Sequence, residues 1–278
     1  MAWFKAPAGG SQPSESVPKR PRLLRRQFTP GGEIPAIGAA ELQDGTFLEC
    51  FAKRCVHEAI KAEGRPMHSR EIKIGSVCTG SGADLVALNA LENAFMAEGI
   101  GISFEVPFLC ESDAQKRDGW LKHVAETLEC SAQCCVFPDV CTLTEGATCC
   151  VHASNAEAAG RGDVCVPPTT LDGLIGGFSC KDLSPMNCNR ATSGAALVKS
   201  IHSPGRTSDT LDCIFKLLDN SPPDFCFLEN VEEMDAGEEP ALDELLASIA
   251  DRGFDVQTFK INTADVGLPQ SRTRLFLL

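Results

Sequence analysis

The chain has 278 residues and a formal net charge of −13, with 43% hydrophobic and 23% charged residues. These proportions are typical of a globular protein that buries a sizeable core, and the length suits one large α/β domain or two small ones. No apolar run approaches the ~20 residues that span a bilayer, which excludes a membrane-spanning protein.

The charge is unevenly distributed along the chain. Six basic residues and one acidic residue give the first 30 residues a net charge of +5, which leaves −18 for the remainder. Because so acidic a body repels polyanions, a nucleic acid would have to bind at a local basic site or through the N-terminal arm.

The first 35 residues are predicted to form a disordered basic arm, since they are rich in Pro, Gly, Ser and Arg and show no apolar period. The run from Lys19 to Arg26 contains a candidate nuclear address, with a solvated tail as the alternative. The chain begins without an apolar signal-peptide core, and its 15 cysteines fit a reducing compartment better than a disulfide framework. We therefore expect a nuclear protein, or alternatively a cytoplasmic one.

Residues 36–278 are predicted to form one domain, in which strand and helix patterns alternate from residue 72 onward. A preceding amphipathic helix is predicted at 41–63. The predicted strands cover residues 72–77, 104–110, 171–175, 225–228, 256–261 and 275–278, and the later predicted helices cover 84–98, 113–128, 208–218 and 241–252. Such alternation predicts an α/β fold with a doubly wound, mostly parallel, Rossmann-like sheet.

A Cys-rich insertion at about residues 130–168 interrupts this pattern. It contains His152 and seven cysteines: Cys130, Cys134, Cys135, Cys141, Cys149, Cys150 and Cys165. A zinc site needs four thiolate or imidazole ligands, usually in CxxC pairs, whereas these spacings are irregular and two pairs are directly adjacent. We therefore favour an insertion that holds no metal, with a zinc site as the alternative.

Two features at the ends of the first two strands indicate an adenosine-containing ligand. Residues 78–83, Cys-Thr-Gly-Ser-Gly-Ala, follow the first strand, and their glycines would let the backbone approach a cofactor closely. Glu111 ends the second strand, where an acid can accept hydrogen bonds from ribose hydroxyls. A charge favoured at a helix N-terminus is the alternative for Glu111. The two features do not separate NAD from S-adenosylmethionine.

Three further motifs stand at or near strand ends. Phe178-Ser179-Cys180 follows a predicted buried strand, Glu229-Asn230-Val231 ends another, and Gln270-Ser271-Arg272-Thr273-Arg274 lies near the C-terminal end. A strand-end cysteine alone could be a small buried hydrophobe. The ordered set of motifs is what indicates a function.

This set, over about residues 72–278, resembles the cytosine-C5 methyltransferase family. The resemblance implies the catalytic domain of a class I S-adenosylmethionine-dependent methyltransferase that acts on DNA, or alternatively on tRNA, since that branch shares these motifs. It assigns catalysis to Cys180 as nucleophile, with Glu229, Arg272 and Arg274. It assigns cofactor binding to Cys78, Thr79, Gly80, Ser81, Gly82, Glu111, Ser112 and Asp139, and substrate binding to Asn230 and Gln270.

The implied chemistry explains why a cysteine and a carboxyl group are needed. Carbon 5 of cytosine is a poor nucleophile, and a thiolate that adds at carbon 6 makes carbon 5 nucleophilic, which is covalent catalysis. Glu229 would offset the charge that develops at ring N3 as sulfur adds. Because the reacting atoms lie inside the stack of a duplex, the base must be flipped out or single-stranded.

The chain departs from the family pattern at three places. Ser179 stands where a proline is usual, Cys78 stands where a phenylalanine is usual, and Leu278 comes before the usual target-recognition domain. We therefore expect that domain to be absent, with recognition supplied by a partner chain or lost by truncation. A non-catalytic cofactor-binding module is a further alternative, whereas a nicotinamide oxidoreductase leaves the Cys180, Glu229 and Arg274 motifs unexplained.

Overall fold

The computed structural model describes residues 47–63, 67–128, 134–145, 149, 165, 170–183, 206–236, 241–266 and 270–278. The predicted basic arm with its candidate nuclear address, the first six residues of the predicted 41–63 helix and most of the Cys-rich insertion, including His152, lie outside these residues. No helix in the described part of the chain is both long and apolar enough to cross a membrane.

One eight-stranded sheet organises the described residues. Its strands are β1 (Arg70–Val77), β2 (Ile102–Glu105), β3 (Phe108–Cys110), β4 (Cys135–Phe137), β5 (Gly173–Gly177), β6 (Phe225–Val231), β7 (Thr258–Asn262) and β8 (Thr273–Leu277). The order is β4-β3-β1-β5-β6-β8-β7, with β2 also paired to β1. All pairings are parallel except that β8 runs antiparallel to both β6 and β7. The predicted doubly wound, mostly parallel α/β fold is confirmed.

The helices follow the strands in the alternating order that the sequence predicts. They are α1 (Phe47–Glu63), α2 (Ala83–Ala97), α3 (Lys122–Thr127), α4 (Arg206–Asn220) and α5 (Ala241–Ala250). A π-helical segment, Lys116–Leu121, leads into α3, and short 3-10 helices cover Val140–Glu145, Glu232–Asp235 and Thr263–Val266. The apolar stripe of α1 packs on α2, with Ala52 and Val56 in one buried cluster with Ala90, Ala94 and Phe95.

The single strand that the sequence predicts at 104–110 is instead two short strands. β2 pairs with the first half of β1 and β3 with its last two residues, in both cases in parallel. Pro107 lies at the break, where it has no N–H to donate to a ladder. Its carbonyl oxygen accepts a hydrogen bond of 3.0 Å from the N–H of Cys135. Cys135 begins β4, a strand that the Cys-rich pattern did not reveal.

Both faces of the sheet are covered by apolar side chains, as a mainly parallel sheet requires. Phe108 and Leu109 adjoin on β3 and therefore point to opposite faces. Phe108 belongs to a buried cluster with Leu174 and Leu228, whereas Leu109 belongs to another with Ile74. The middle of the sheet is thus closed to solvent, so the loops at the carboxyl ends of the strands are the natural place for a ligand site.

Candidate active site

The glycine loop after β1 is tied to the end of β3 by backbone hydrogen bonds. The N–H of Thr79 donates to the carbonyl of Cys110 at 3.0 Å, and the N–H of Gly80 donates to Glu111 Oε2 at 2.7 Å. Cys78 turns the chain out of β1 with a φ of 54°, a left-handed conformation that is uncommon for residues with a side chain. Gly82, with a φ of 84°, then leads into α2.

Ser76, Thr79 and Asp84 form a polar network beside this loop that the sequence motifs did not predict. Ser76 is buried near the end of β1, and its hydroxyl hydrogen-bonds to Thr79 Oγ1 at 2.7 Å and donates to the carboxyl group of Asp84. Burial raises the pKa of Asp84 above its ordinary value. The signal that could have revealed the network is an acid in the first turn of a helix directly after a glycine loop.

Glu111 is buried at the end of β3, with 7% of its surface exposed. Its Oε1 accepts a hydrogen bond of 2.7 Å from the N–H of Asp113, and its Oε2 accepts the one from Gly80. Each carboxylate oxygen can accept a second hydrogen bond, so both remain able to take a ribose hydroxyl. The neighbouring Ser112 is exposed, as is Ser81 in the glycine loop.

Asp139 follows β4, the strand next to β3, and lies at the same end of the sheet as Glu111. Its Oδ1 accepts a hydrogen bond of 2.9 Å from the N–H of Cys141, which fixes the carboxylate at the start of a 3-10 turn. Burial, with the charges of Glu111 and Asp139 nearby, raises the pKa of Cys78 to about 12. Because β1, β3 and β4 are parallel neighbours in the sheet, Cys78, Glu111 and Asp139 lie together at the carboxyl ends of these strands.

The charges of this pocket fit an adenosine cofactor that carries a sulfonium rather than a pyrophosphate. In a dinucleotide site the backbone N–H groups of the glycine loop face phosphate oxygens, whereas the Gly80 N–H here donates to Glu111. The carboxylates of Glu111 and Asp139 would repel a pyrophosphate and would accept hydrogen bonds from hydroxyl and amine groups. These residues can therefore hold S-adenosylmethionine.

A second group of polar side chains lies at the carboxyl ends of β5 and β6. Gly177 ends β5 opposite Glu229 of β6. A methyl group on Gly177 would lie 3.0 Å from Glu229 Oε2, so the glycine leaves room for the carboxylate. On the other side of β6, Arg274 of β8 is paired with Val231, and its Nε lies 2.7 Å from Glu229 Oε1. The sheet thus joins the predicted acid and the predicted arginine in one ion pair.

The loop that carries Cys180 begins directly after β5 and is fixed at two points. Asn230 Nδ2 donates to the carbonyl of Phe178 at 3.0 Å. Asp182 Oδ2 accepts a hydrogen bond of 2.8 Å from the N–H of Thr207, in the first turn of α4. Cys180 lies between these anchors, half-buried against the core. The loop therefore holds the thiol three residues beyond Gly177, at the edge of the sheet where Glu229 lies.

Asn230 occupies a different position from the substrate contact that the family resemblance implies. Only 1% of its surface is exposed, and its Oδ1 accepts a hydrogen bond of 2.8 Å from the N–H of Val231. Both ends of the amide are thus used inside the protein. Through its hydrogen bond to Phe178, the buried Asn230 side chain positions the Cys180 loop rather than contacting a base.

The segment before β8 is organised by Asn262, which precedes the Gln270–Arg274 motif and for which the sequence suggests no role. Its Oδ1 accepts a hydrogen bond of 3.3 Å from the N–H of Arg272, and its Nδ2 donates to Thr273 Oγ1 at 3.2 Å. The side chains of Arg272 and Gln270 are exposed. They precede Arg274 in the sequence, but the ion pair with Glu229 is made by Arg274.

Three cysteines of the Cys-rich insertion converge on one point although their spacing is irregular. The sulfur atoms of Cys135, Cys149 and Cys165 all lie within 4.8 Å of one another. Burial, with the two neighbouring thiols, raises the pKa of Cys135. Elsewhere, Cys141 and Cys213 form one disulfide between the 3-10 turn after Asp139 and α4, whereas the sequence favours a reducing compartment over a disulfide framework.

The C-terminal part of the chain, residues 162–278, matches the family described as C-5 cytosine-specific DNA methylase. A curated protein of Cryptococcus neoformans var. grubii, named DNA (cytosine-5-)-methyltransferase DMT5, is 23% identical over 214 residues, which are 77% of this chain and 8% of that protein. The chain therefore spans less than a tenth of that relative.

A comparison with solved structures also finds two methyltransferases among its matches. The S. pombe Dnmt2 methyltransferase is 14% identical, with a TM-score of 0.44, and the match covers 75% of this chain and 49% of that one. The Entamoeba histolytica methyltransferase EhMeth is 12% identical, with a TM-score of 0.44, and the match covers 75% and 52%.

The matched residues 162–278 include Cys180, Glu229 and Arg274, and the same sheet continues into β1, β3 and β4, which lead to Cys78, Glu111 and Asp139. The family takes its methyl group from S-adenosylmethionine, the cofactor that the pocket of Glu111 and Asp139 fits. Residues 162–278 thus match the C-5 cytosine-specific DNA methylase family, and they lie in a chain whose mostly parallel, Rossmann-like sheet can hold S-adenosylmethionine.

Proposed function

We propose that this protein methylates carbon 5 of cytosine in DNA through a covalent bond between Cys180 Sγ and carbon 6. The observation that carries the proposal is the Glu229–Arg274 ion pair of 2.7 Å at the strand next to the one that leads into Cys180. The descriptions of the matching family and of the curated relative both specify DNA, which supports DNA over tRNA as the substrate.

Each residue of this group has a distinct task in the proposed reaction. The Cys180 thiolate adds to carbon 6, and the electrons of the 5,6 double bond move toward carbon 5. S-adenosylmethionine, held by residues such as Glu111, would supply the methyl group that carbon 5 receives and would leave as S-adenosylhomocysteine. A base then removes the proton from carbon 5, and the Cys180 thiolate leaves as the double bond re-forms. Glu229 holds N3 of the ring and offsets its developing charge, while Arg274 faces the carbonyl oxygen.

Charge limits how the protein meets its substrate. The net charge of −13 makes the approach of a duplex unfavourable unless a local basic surface compensates. We propose that a partner chain or a further segment supplies target recognition, and that the basic arm directs the protein to the nucleus. The reacting cytosine is flipped out of the stack to reach Cys180.

Trapping on 5-fluorocytosine tests the reaction directly. Fluorine at carbon 5 cannot leave as a proton does, so the Cys180–carbon 6 bond persists after methyl transfer. We expect a denaturation-resistant adduct with a duplex that contains 5-fluorocytosine when S-adenosylmethionine is present. The adduct should be lost in Cys180→Ser and retained in Cys226→Ser, the control, which alters a thiol in the strand of Glu229.

The same experiment contains the outcomes that would overturn the proposal. An adduct on a tRNA with the modified base, and none on DNA, would reject DNA as the substrate. Cofactor binding by calorimetry with no adduct on either nucleic acid would reject the enzyme and leave a cofactor-binding module. An adduct that persists in Cys180→Ser would reject Cys180 as the nucleophile.

A further inference from the structure

We propose that Cys135, Cys149 and Cys165 bind a Zn²⁺ ion that fastens the Cys-rich insertion to the edge of the sheet. The three sulfur atoms all lie within 4.8 Å of one another. The site would be structural, and it is separate from the cysteine proposed for catalysis.

The distances fit three corners of a tetrahedral zinc site that closes slightly on binding, with the fourth ligand supplied by a group outside these three cysteines. With Zn–S bonds of about 2.3 Å, sulfur atoms at the corners of a tetrahedron are about 3.8 Å apart. Sulfur atoms up to 4.8 Å apart would therefore approach one another by about 1 Å at most when the ion binds. The three cysteines come from the start of β4 and from two separate positions in the insertion, so only the tertiary fold brings them together.

The surroundings of the cluster favour a soft divalent cation. Cys149 is 2% exposed and packs in the core cluster, and Cys135 and Cys165 pack against that cluster. Thiolates in apolar surroundings need a nearby positive charge, which a bound metal provides. Sulfur ligands select Zn²⁺ over Mg²⁺ and Ca²⁺, which prefer oxygen ligands.

The location explains what such a site would accomplish. β4 is the edge strand of the sheet and is only three residues long, so it has few ladder hydrogen bonds to hold it. Its C-terminal end leads directly to Asp139 in the cofactor pocket. A metal bound by Cys135, at the start of β4, would hold the insertion against this edge and stabilise the strand that positions Asp139.

Metal analysis of the full chain tests the proposal. The protein is purified under reducing conditions after growth with zinc in the medium. We expect about one zinc ion per chain by inductively coupled plasma mass spectrometry. Cys149→Ser should lose most of this zinc. Cys55→Ser is the matched control, because it removes an exposed thiol of α1 and should leave the zinc content unchanged.

A second measurement keeps the test valid if Cys149→Ser fails to fold. Cobalt added to zinc-depleted wild-type protein should produce sulfur-to-cobalt charge-transfer absorption and the visible bands of tetrahedral coordination. Failure of the reduced protein to bind either metal, a disulfide between two of the three cysteines that excludes zinc, or an iron–sulfur chromophore would each overturn the proposal. None of these readouts depends on methylation, so the site and the proposed activity can fail separately.

Discussion

The carboxyl edge of the sheet has two halves: a cofactor half with Glu111 and Asp139, and a half with Glu229 and Arg274, called the catalytic half after its proposed role. The two halves hold their carboxylates in different ways. In the cofactor half, backbone N–H groups donate to the carboxylates of Glu111 and Asp139. In the catalytic half, Glu229 is held by the side chain of Arg274, and both remain partly exposed, at 35% and 21%. Backbone donors fix a carboxylate rigidly, whereas an ion pair between side chains can be rearranged by a substrate. Carboxylates held by backbone donors suit the binding of a cofactor. A carboxylate held by an ion pair suits a site in which charge develops on a bound substrate.

The largest effect is expected from Asn230→Ala, which removes the amide that joins the catalytic half to the Cys180 loop. The change leaves the buried carbonyl of Phe178 and the N–H of Val231 without their partner. We expect a loss of about 3 kcal/mol in the free energy of unfolding, measured by denaturant titration. Asn220→Ala, at the exposed end of α4, is the control. Wild-type stability would show that the loop is held by other contacts.

Glu229→Gln tests whether the charge in the catalytic half takes part in the reaction. The amide keeps the shape but removes the charge that pairs with Arg274. We expect turnover to fall at least about tenfold, or ~1.4 kcal/mol of barrier, with an unchanged Kd for S-adenosylmethionine. Glu232→Gln, an exposed acid directly after β6, is the control. Unchanged turnover would remove Glu229 from the mechanism.

Glu111→Ala tests the cofactor half. Loss of the carboxylate removes the acceptor for ribose hydroxyls and for the N–H groups of Gly80 and Asp113. We expect the Kd for S-adenosylmethionine to rise about fivefold, or ~1 kcal/mol, by calorimetry. Glu98→Ala, at the exposed end of α2, should bind normally. If both variants bind equally well, the ribose assignment is wrong.

The smallest effect is expected from Asp84→Asn, below the glycine loop. Burial raises the pKa of Asp84 above 3.8, so the ionised form is less favourable in the folded than in the unfolded protein. Wild-type stability therefore falls as pH rises from 3.8 through the folded pKa. Asn does not ionise, so we expect the variant to melt about 2 °C higher at neutral pH, with the advantage disappearing toward acid pH. A constant difference across that range would contradict this cause.

Much of the site could be predicted from local sequence because motif residues stand at strand ends. Glu111, Cys180 and Glu229 follow short buried runs, and such runs are recognisable without knowledge of their neighbours. The supporting residues could not be predicted in this way. Asn230 and Asn262 act through partners on other segments, and their sequence neighbours do not distinguish a buried positioning amide from one that contacts a substrate.

The sequence by itself determined the alternation of strands and helices, the order of the motifs and the family to which they point. Tertiary structure decided which of these elements are adjacent. β8 inserts between β6 and β7, and this places Arg274 beside Glu229; the short edge strand β4 brings Cys135 to Cys149 and Cys165. The reason is physical: hydrophobic periodicity is a local property of the chain, whereas strand pairing joins distant segments, and the packing of the whole sheet selects those partners.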